Sequence, residues 1–170
     1  MTDRPATLRE VAARAETLAD FGRELADWLH TLRAITSRPA LAAIIAQEPP
    51  LLAARFPEGA VADAYLAACA EHLAATHGLD LPDWARAAAR IAPEPWFAHE
   101  SGHARLRAQR DTPPAIKRRN LFTLTPDFPV RLRSGRPAVS LAARRASNAA
   151  RQRRFRRRHA KNAKPLSGFG

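Results

Sequence analysis

The sequence has one cysteine, no long apolar run and, after Asp127, no acidic residue, and each of these absences narrows what the protein can be. A lone Cys69 excludes an intramolecular disulfide and is typical of a reducing compartment. No stretch approaches the about 18 consecutive apolar residues of a membrane span, and acidic residues from Asp3 onward interrupt any signal-peptide core. We therefore expect a soluble cytoplasmic protein that makes no use of a membrane.

The usual sequence signatures of catalysis are missing as well. There is no glycine-rich phosphate loop and no serine of the nucleophile-elbow type. Cys69 and His72 are three residues apart, with His77 further on, but Cys69 falls on the apolar stripe of a predicted helix. A nucleophilic cysteine needs exposure and a nearby cation, and a structural zinc needs four ligands in a closed set. We expect no catalytic residue, no cofactor and no enzyme activity.

One string does match a metalloenzyme motif: "HESGH", residues 99–103, is a complete H-E-x-x-H. On one continuous helix this spacing places two histidines and a general base on the same side of a zinc ion. Ser101 and Gly102 are poor residues for the middle of a helix, and no histidine or glutamate follows at a position suited to a third ligand. We interpret His99, Glu100 and His103 as part of a solvated loop or helix start, with no metal. A zinc hydrolase is the weakest of three functional hypotheses.

Charge is divided unevenly along the chain. Residues 1–110 contain 12 Lys/Arg against 14 Asp/Glu, a net charge of −2, whereas residues 111–170 contain 16 against 2, a net charge of +14. From Phe128 to the end there are 13 Lys/Arg and no acid. Such an asymmetry predicts a near-neutral folded body and a basic segment directed at nucleic acid.

The body has helical patterns and no convincing alternating strand. Apolar residues from Leu8 to Leu32 recur every three or four positions, as in a helix-packing seam, with Phe21 and Trp28 beside it. Near the N-terminus we predict helix starts at a Thr7–Glu10 capping box and at an Asp20 N-cap. Further helices are predicted over 39–47, with Ser37 as N-cap, and over 59–77, ended by Gly78. A shorter helix is predicted to open at Pro82. We predict an all-α fold, a small helical bundle over residues 1–122, followed by a largely irregular basic extension over 123–170.

Within that extension, "RQRRFRRRHAKNAK", residues 151–164, is the strongest functional signal. Guanidinium forks spaced along it can reach consecutive phosphates, and Phe155 can stack on a base or pack on the body. A solvated tail that aids solubility is the alternative. The predicted nucleic-acid contacts are Arg144, Arg145, Arg151, Arg153, Arg154, Phe155, Arg156, Arg157, Arg158, Lys161 and Lys164, together with Lys117, Arg118 and Arg119. Nothing in this set reads base sequence or chooses DNA over RNA.

Two resemblances concern the body. "TLREVAARAETLADFG" resembles the first two helices of a helix-turn-helix repressor, although the helix that follows is acidic and amphipathic, which suits packing better than a DNA groove. The order "TLREVAARA", "DFGRELADWL", "AQEPPLL", "DAYLAACAEHLAATHGLDLPDWA", "EPWF", "LRA", "PPAIKRRNLF", over residues 7–122, resembles an uncharacterised bacterial helical family. Its members are short proteins or appendages to helix-turn-helix regulators, and they occur beside nucleotidyltransferase-like toxins.

The second resemblance implies an antitoxin-like or regulatory partner and brings no catalytic residue. Our leading hypothesis is a non-enzymatic adaptor whose helical body binds a protein partner, such as a toxin, and whose tail binds DNA or RNA. The alternative is an RNA- or ribosome-associated binding protein without a toxin partner. Trp84, Trp96 and Phe97 are candidates for the core or for a partner surface, and the core is favoured because large aromatics are usually buried.

Overall fold

The computed structural model describes residues 4–123, 128–132 and 152, and over these residues the chain is mostly helical. The six helices of this region are α1 Leu8–Arg14, α2 Leu18–Leu32, α3 Arg38–Ala46, α4 Gly59–His77, α5 Gly102–Asp111 and α6 Pro114–Lys117. Two 3₁₀ turns, Asp83–Arg86 and Ala88–Arg90, follow α4, and two short strands are β1 Trp96–Phe97 and β2 Leu121–Phe122. The helical character expected from the sequence is confirmed for this part of the chain.

The helix starts follow the side-chain oxygens that can accept free backbone amides. Thr7 caps α1 by accepting from the Glu10 N–H at 3.2 Å, and Ser37 caps α3 by accepting from the Ala40 N–H at 3.4 Å, both as predicted. The predicted cap at Asp20 is wrong. Thr17 caps α2 instead, accepting from the Asp20 N–H at 3.0 Å, because Thr17 is extended while Asp20 is already in the first helical turn.

Helix α4 lies at the centre of the body, where α2, α3, α6, both 3₁₀ turns and β2 pack against it. It has the predicted bounds, and Gly78 ends it with a left-handed φ of 62° and an N–H donated to the Ala74 carbonyl. Most of its residues are buried, and many are alanines, which let neighbouring elements approach closely. Two 3₁₀ turns stand where the sequence predicted a short helix opened by Pro82.

The buried face of α2 is rotated about the helix axis relative to the apolar face predicted from the sequence. Phe21, Trp28 and Leu32 are the buried residues of α2, Leu25 is only partly buried, and Gly22 is exposed. The large aromatic side chains therefore set which face of α2 meets the core. None of the helices that the structure describes combines the length and the apolar content needed to cross a lipid bilayer.

A buried ion pair fastens two loops to α4. Asp63 accepts from the backbone N–H groups of Leu52 and Ala53 at 3.0 Å, and Arg90 donates to it at 2.8 Å. Arg90 also donates to the Pro49 carbonyl, and its guanidinium lies 5.2 Å from the centre of the Trp84 ring. The interior thus includes a charged cluster that links residues 49–53 to the segment around Arg90.

The prediction of no strand is corrected by β1 and β2, which pair in parallel with Trp96 opposite Leu121 and Phe97 opposite Phe122. Each strand has two residues, which is too short to produce a visible alternation in the sequence. Leu121 is buried in an interior cluster with Val61, Ala64, Ala68, Ala92 and Ile116, and the half-buried Trp96 packs against this cluster. The two paired strands therefore pack against α4.

The body continues beyond Phe122, the residue at which the sequence predicted its end. Residues 128–132, which we call the strap, place Phe128, Val130 and Leu132 against the main core. The first unit of the chain, by its internal contacts, runs from Met1 to Arg133. The alternation of apolar residues with Pro129 and Arg131 explains how such a short segment can pack.

Candidate nucleic-acid interface

The predicted nucleic-acid contacts fall into two groups. Those of the extension lie outside the described residues: Arg144, Arg145, Arg151, Arg153, Arg154, Phe155, Arg156, Arg157, Arg158, Lys161 and Lys164. The other three, Lys117, Arg118 and Arg119, lie at the end of α6, where the structure shows their surroundings. These three have different environments, and they cannot all have the same role.

Arg119 belongs to the interior, which corrects its assignment as a phosphate contact. Its guanidinium donates to Glu71 at 2.8 Å, to the Ala85 carbonyl at 2.6 Å and to the Arg90 carbonyl at 3.2 Å. The side chain is buried, and these bonds tie α6 to α4 and to both 3₁₀ turns. Moving it to a phosphate would leave buried acceptors without a donor, so we reassign Arg119 to the stability of the body.

Arg118 is the most accessible cation of the three. Its side chain is 63% exposed, and its guanidinium is bonded to Glu71, the same carboxylate that Arg119 holds. Lys117 is half-buried, and its ammonium donates to the Arg110 carbonyl at 3.1 Å, at the C-terminal end of α5. Lys117 and Arg118 thus remain candidates for phosphate contact.

Helix α5 adds cations that the sequence analysis did not single out. Ala108 is its only residue classed as buried, and Arg105, Arg107 and Arg110 are exposed, as is Leu106 at 67%. Arg110 is paired with the adjacent Asp111 at 2.6 Å. The signal was present in "ARLRAQRD", a segment with three arginines, one acid and little apolar content for a core-facing helix.

The strap contacts α4 at the residue next to the carboxylate that holds Arg118. Glu71, which holds Arg118, and His72 are consecutive residues of α4, and the His72 ring stacks on Phe128 with the ring centres 4.8 Å apart. Arg131 of the strap is exposed. The contacts therefore run from Arg118 through α4 to the strap, and residues 133–170 follow the strap in the sequence.

The HESGH string does not form a metal-binding helix. Helix α5 begins at Gly102 with Ser101 as its N-cap, so His99 and Glu100 precede the helix and only His103 belongs to it. All three side chains are exposed, and the His99 carbonyl accepts a bond from Arg105 at 3.3 Å. Among residues 4–123, 128–132 and 152, no three His, Cys, Asp or Glu side chains lie close enough to hold a metal ion.

Cys69 is a core residue of α4. Burial raises the pKa of its thiol to about 12, which disfavours the thiolate form that a nucleophile or a metal ligand requires. Burial lowers the pKa of His72, and the neighbouring His77 lowers it further. His72 is half-buried against the strap, so its role in the body is in packing.

The aromatic candidates divide between core and surface. Trp84 is buried and donates its indole N–H to the Ile45 carbonyl at 3.0 Å. Trp96 is half-buried and meets Tyr65 edge-on, with ring centres 5.9 Å apart. Phe97 lies opposite Phe122, and the two half-buried rings stack with their centres 4.8 Å apart.

Comparisons with known protein families, with curated proteins and with solved structures gave no significant match. The functional assignment therefore depends on charge and geometry.

Proposed function

We propose that the protein is a non-enzymatic adaptor, whose arginine-rich extension binds nucleic acid and whose helical body binds a protein partner. The observation that carries the proposal is the charge division: residues 111–170 have a net charge of +14, and residues 1–110 have one of −2. From Phe128 to the end there are 13 Lys/Arg and no acid, and solubility alone does not require so many cations. A polyanion such as DNA or RNA is the partner that this segment fits.

Binding through such a segment is mainly electrostatic. Arginine presents a planar fork that matches the oxygens of a phosphate, and each phosphate that is neutralised releases condensed counterions. With six to ten phosphate contacts, affinity should fall by about 10³ to 10⁵ between about 50 and 200 mM salt. Because these contacts are to the backbone, we expect little preference for base sequence.

The proposed protein partner is supported by the surface of the body. Leu51 is 48% exposed and lines a cleft of about 370 Å³ together with Arg9, Ala13, Glu48, Pro49 and Pro50. The resemblance over residues 7–122 indicates a regulatory partner of the antitoxin type, such as a toxin. An apolar side chain rimmed by charged ones is a common arrangement in protein interfaces.

The salt dependence of binding tests the nucleic-acid half of the proposal. Replacing Arg153, Arg154 and Arg156 by glutamine in the full chain should lower the slope of log affinity against log salt by about 2 to 3. The loss should be equal on unrelated sequences. The matched control removes three exposed body arginines, in the variant R9Q/R33Q/R38Q, and should leave the slope nearly unchanged. Equal effects of both variants would contradict the role of the extension.

Co-purification after nuclease treatment tests the partner half. A protein recovered in stoichiometric amount supports the adaptor. Nucleic acid as the sole companion, present only when nuclease is omitted, supports the alternative of an RNA- or ribosome-associated binding protein.

A further inference from the structure

Three planar side chains meet on the surface of the body. The Phe97 and Phe122 rings are stacked at 15° with centres 4.8 Å apart, and the Arg105 guanidinium carbon lies 5.1 Å from the centre of the Phe97 ring. The two rings are half-buried and Arg105 is exposed. We call these three residues the planar cluster.

The fold explains why the three side chains of the planar cluster lie together. The parallel register places Phe97 opposite Phe122, and side chains alternate between the two faces of a strand. Their neighbours Trp96 and Leu121 pack toward the interior, which directs the two phenylalanines to the outer face of the paired strands. Arg105 is held over that face by its bond to the His99 carbonyl.

The segment that carries Arg105 is cationic. Residues 102–119 contain six Lys/Arg and a single acid, Asp111, and of these cations only Arg119 is buried. Arg105 and Arg110 are about 8 Å apart along the axis of α5 and about 140° apart around it, from the helical geometry. A ligand with a flat apolar face and neighbouring negative charges would satisfy both features.

Single-stranded nucleic acid has this chemistry, because an unpaired base has a free face and is linked to phosphates. Bases stack on phenylalanine rings and on arginine planes. In a duplex the faces are already stacked. An acidic protein segment could pair with the cations, but its carboxylates do not use a planar surface.

From this geometry we infer that an unpaired base stacks on the planar cluster of Phe97, Phe122 and Arg105, while adjacent phosphates contact the cations of α5 and α6. The inference rests on the proposed function, since it names the form of nucleic acid that the adaptor prefers. It adds a contact on the body to those of the extension.

The first test uses the full chain and the conservative substitution Arg105→Lys, which keeps the charge but removes the plane. The probes are a labelled oligothymidylate and a labelled duplex of equal length, followed by fluorescence anisotropy. We expect affinity for the single strand to fall by about 5-fold or more. Affinity for the duplex, and the salt dependence of binding to either probe, should not change. Arg33→Lys, which changes an exposed arginine at the end of α2, is the matched control and should change neither affinity.

The second test locates the contact directly. An oligonucleotide carrying 5-iodouracil is cross-linked to the full chain by light, and the tryptic peptides are identified by mass spectrometry. Cross-links in residues 91–105 or 120–131, which contain Phe97 and Phe122, support the inference. Cross-links confined to residues 134–170, or a wild-type response of Arg105→Lys on both probes, overturn it while leaving the proposed function standing. Failure of the unaltered protein to bind either probe overturns both.

Discussion

Replacing Asp63 by alanine should bring the body close to unfolding. Asp63 is fully buried in α4, and its carboxylate accepts from Leu52, Ala53 and Arg90 at 2.8 to 3.0 Å. Burial raises the pKa of this carboxyl, and the two backbone N–H groups and the guanidinium oppose that rise. The substitution removes all of these acceptor contacts at once.

The expected loss in the free energy of unfolding follows from the buried groups that the substitution leaves without a partner. Arg90 is 1% exposed and would keep only the Pro49 carbonyl, the more distant Glu48 at 3.6 Å and the face of Trp84. Breaking a buried ion pair by removing one partner costs about 3 to 5 kcal/mol, and an orphaned buried N–H adds about 1 to 3 kcal/mol. Domains of this size are stable by about 5 to 15 kcal/mol, so the variant should be marginally folded at best.

The assay is urea unfolding followed by far-ultraviolet circular dichroism and tryptophan fluorescence. Asp83→Ala is the matched control, because Asp83 also pairs with an arginine at 3.0 Å but its side chain is fully exposed. That control should not change stability measurably. The double variant Asp63→Leu/Arg90→Met should lose less than the sum of its parts, since it leaves no unpaired charge. A loss below about 1 kcal/mol for Asp63→Ala would refute the reasoning.

Other measurements test the remaining assignments. His99→Ala should leave zinc content and folding unchanged in metal analysis and circular dichroism; stoichiometric zinc lost on this substitution would restore the hydrolase. Limited trypsin should stop at a core that ends near Arg133, because the strap packs on the body; early cuts after Arg23 in α2 or after the buried Arg90 would contradict this. Phe155→Ala should weaken binding to single strands more than to duplex, by about 1 to 3 kcal/mol, in anisotropy titrations; equal losses would place Phe155 elsewhere. Because the pKa of His72 and that of His77 are lowered in the folded state, the unfolded chain binds more protons below about pH 6.5. Stability should therefore fall as pH drops through that window, and His72→Asn should flatten the fall in urea midpoint; an unchanged slope would refute the assignment.

Local signals in the sequence were sufficient for most of the helices. Thr7 and Ser37 are followed by residues whose amides they cap, and Gly78 stands where a left-handed residue is needed, so these ends depend on near neighbours alone. The wrong N-cap prediction at Asp20 has the same local origin. Thr17 and Asp20 are both good caps, and the spacing Thr17-x-x-Asp20 repeats that of Thr7-x-x-Glu10, which favours the threonine.

The features that were missed depend on contacts between distant parts of the chain. Phe97 meets Phe122 across 24 intervening residues, and two-residue strands leave no periodic trace. Asp63 sits on an apolar helix where a charge is unexpected, and its partners Leu52 and Arg90 are 11 and 27 residues away. No local sequence pattern predicts which charged side chains form buried ion pairs and which are exposed to solvent.

Arg118 and Arg119 show how the difference between an exposed and a buried charge determines which arginine is available to bind a phosphate. Glu71 is 14% exposed and gives one oxygen to each arginine. If a phosphate takes Arg118, Glu71 keeps Arg119, so no carboxylate is left unpaired and the exchange replaces one exposed charge pair by another. If a phosphate took Arg119, the carbonyls of Ala85 and Arg90 would lose their donor as well. Of two adjacent arginines, one is therefore free to change partner and the other is required by the fold, and Arg118 is the one that the proposed nucleic-acid interface can use.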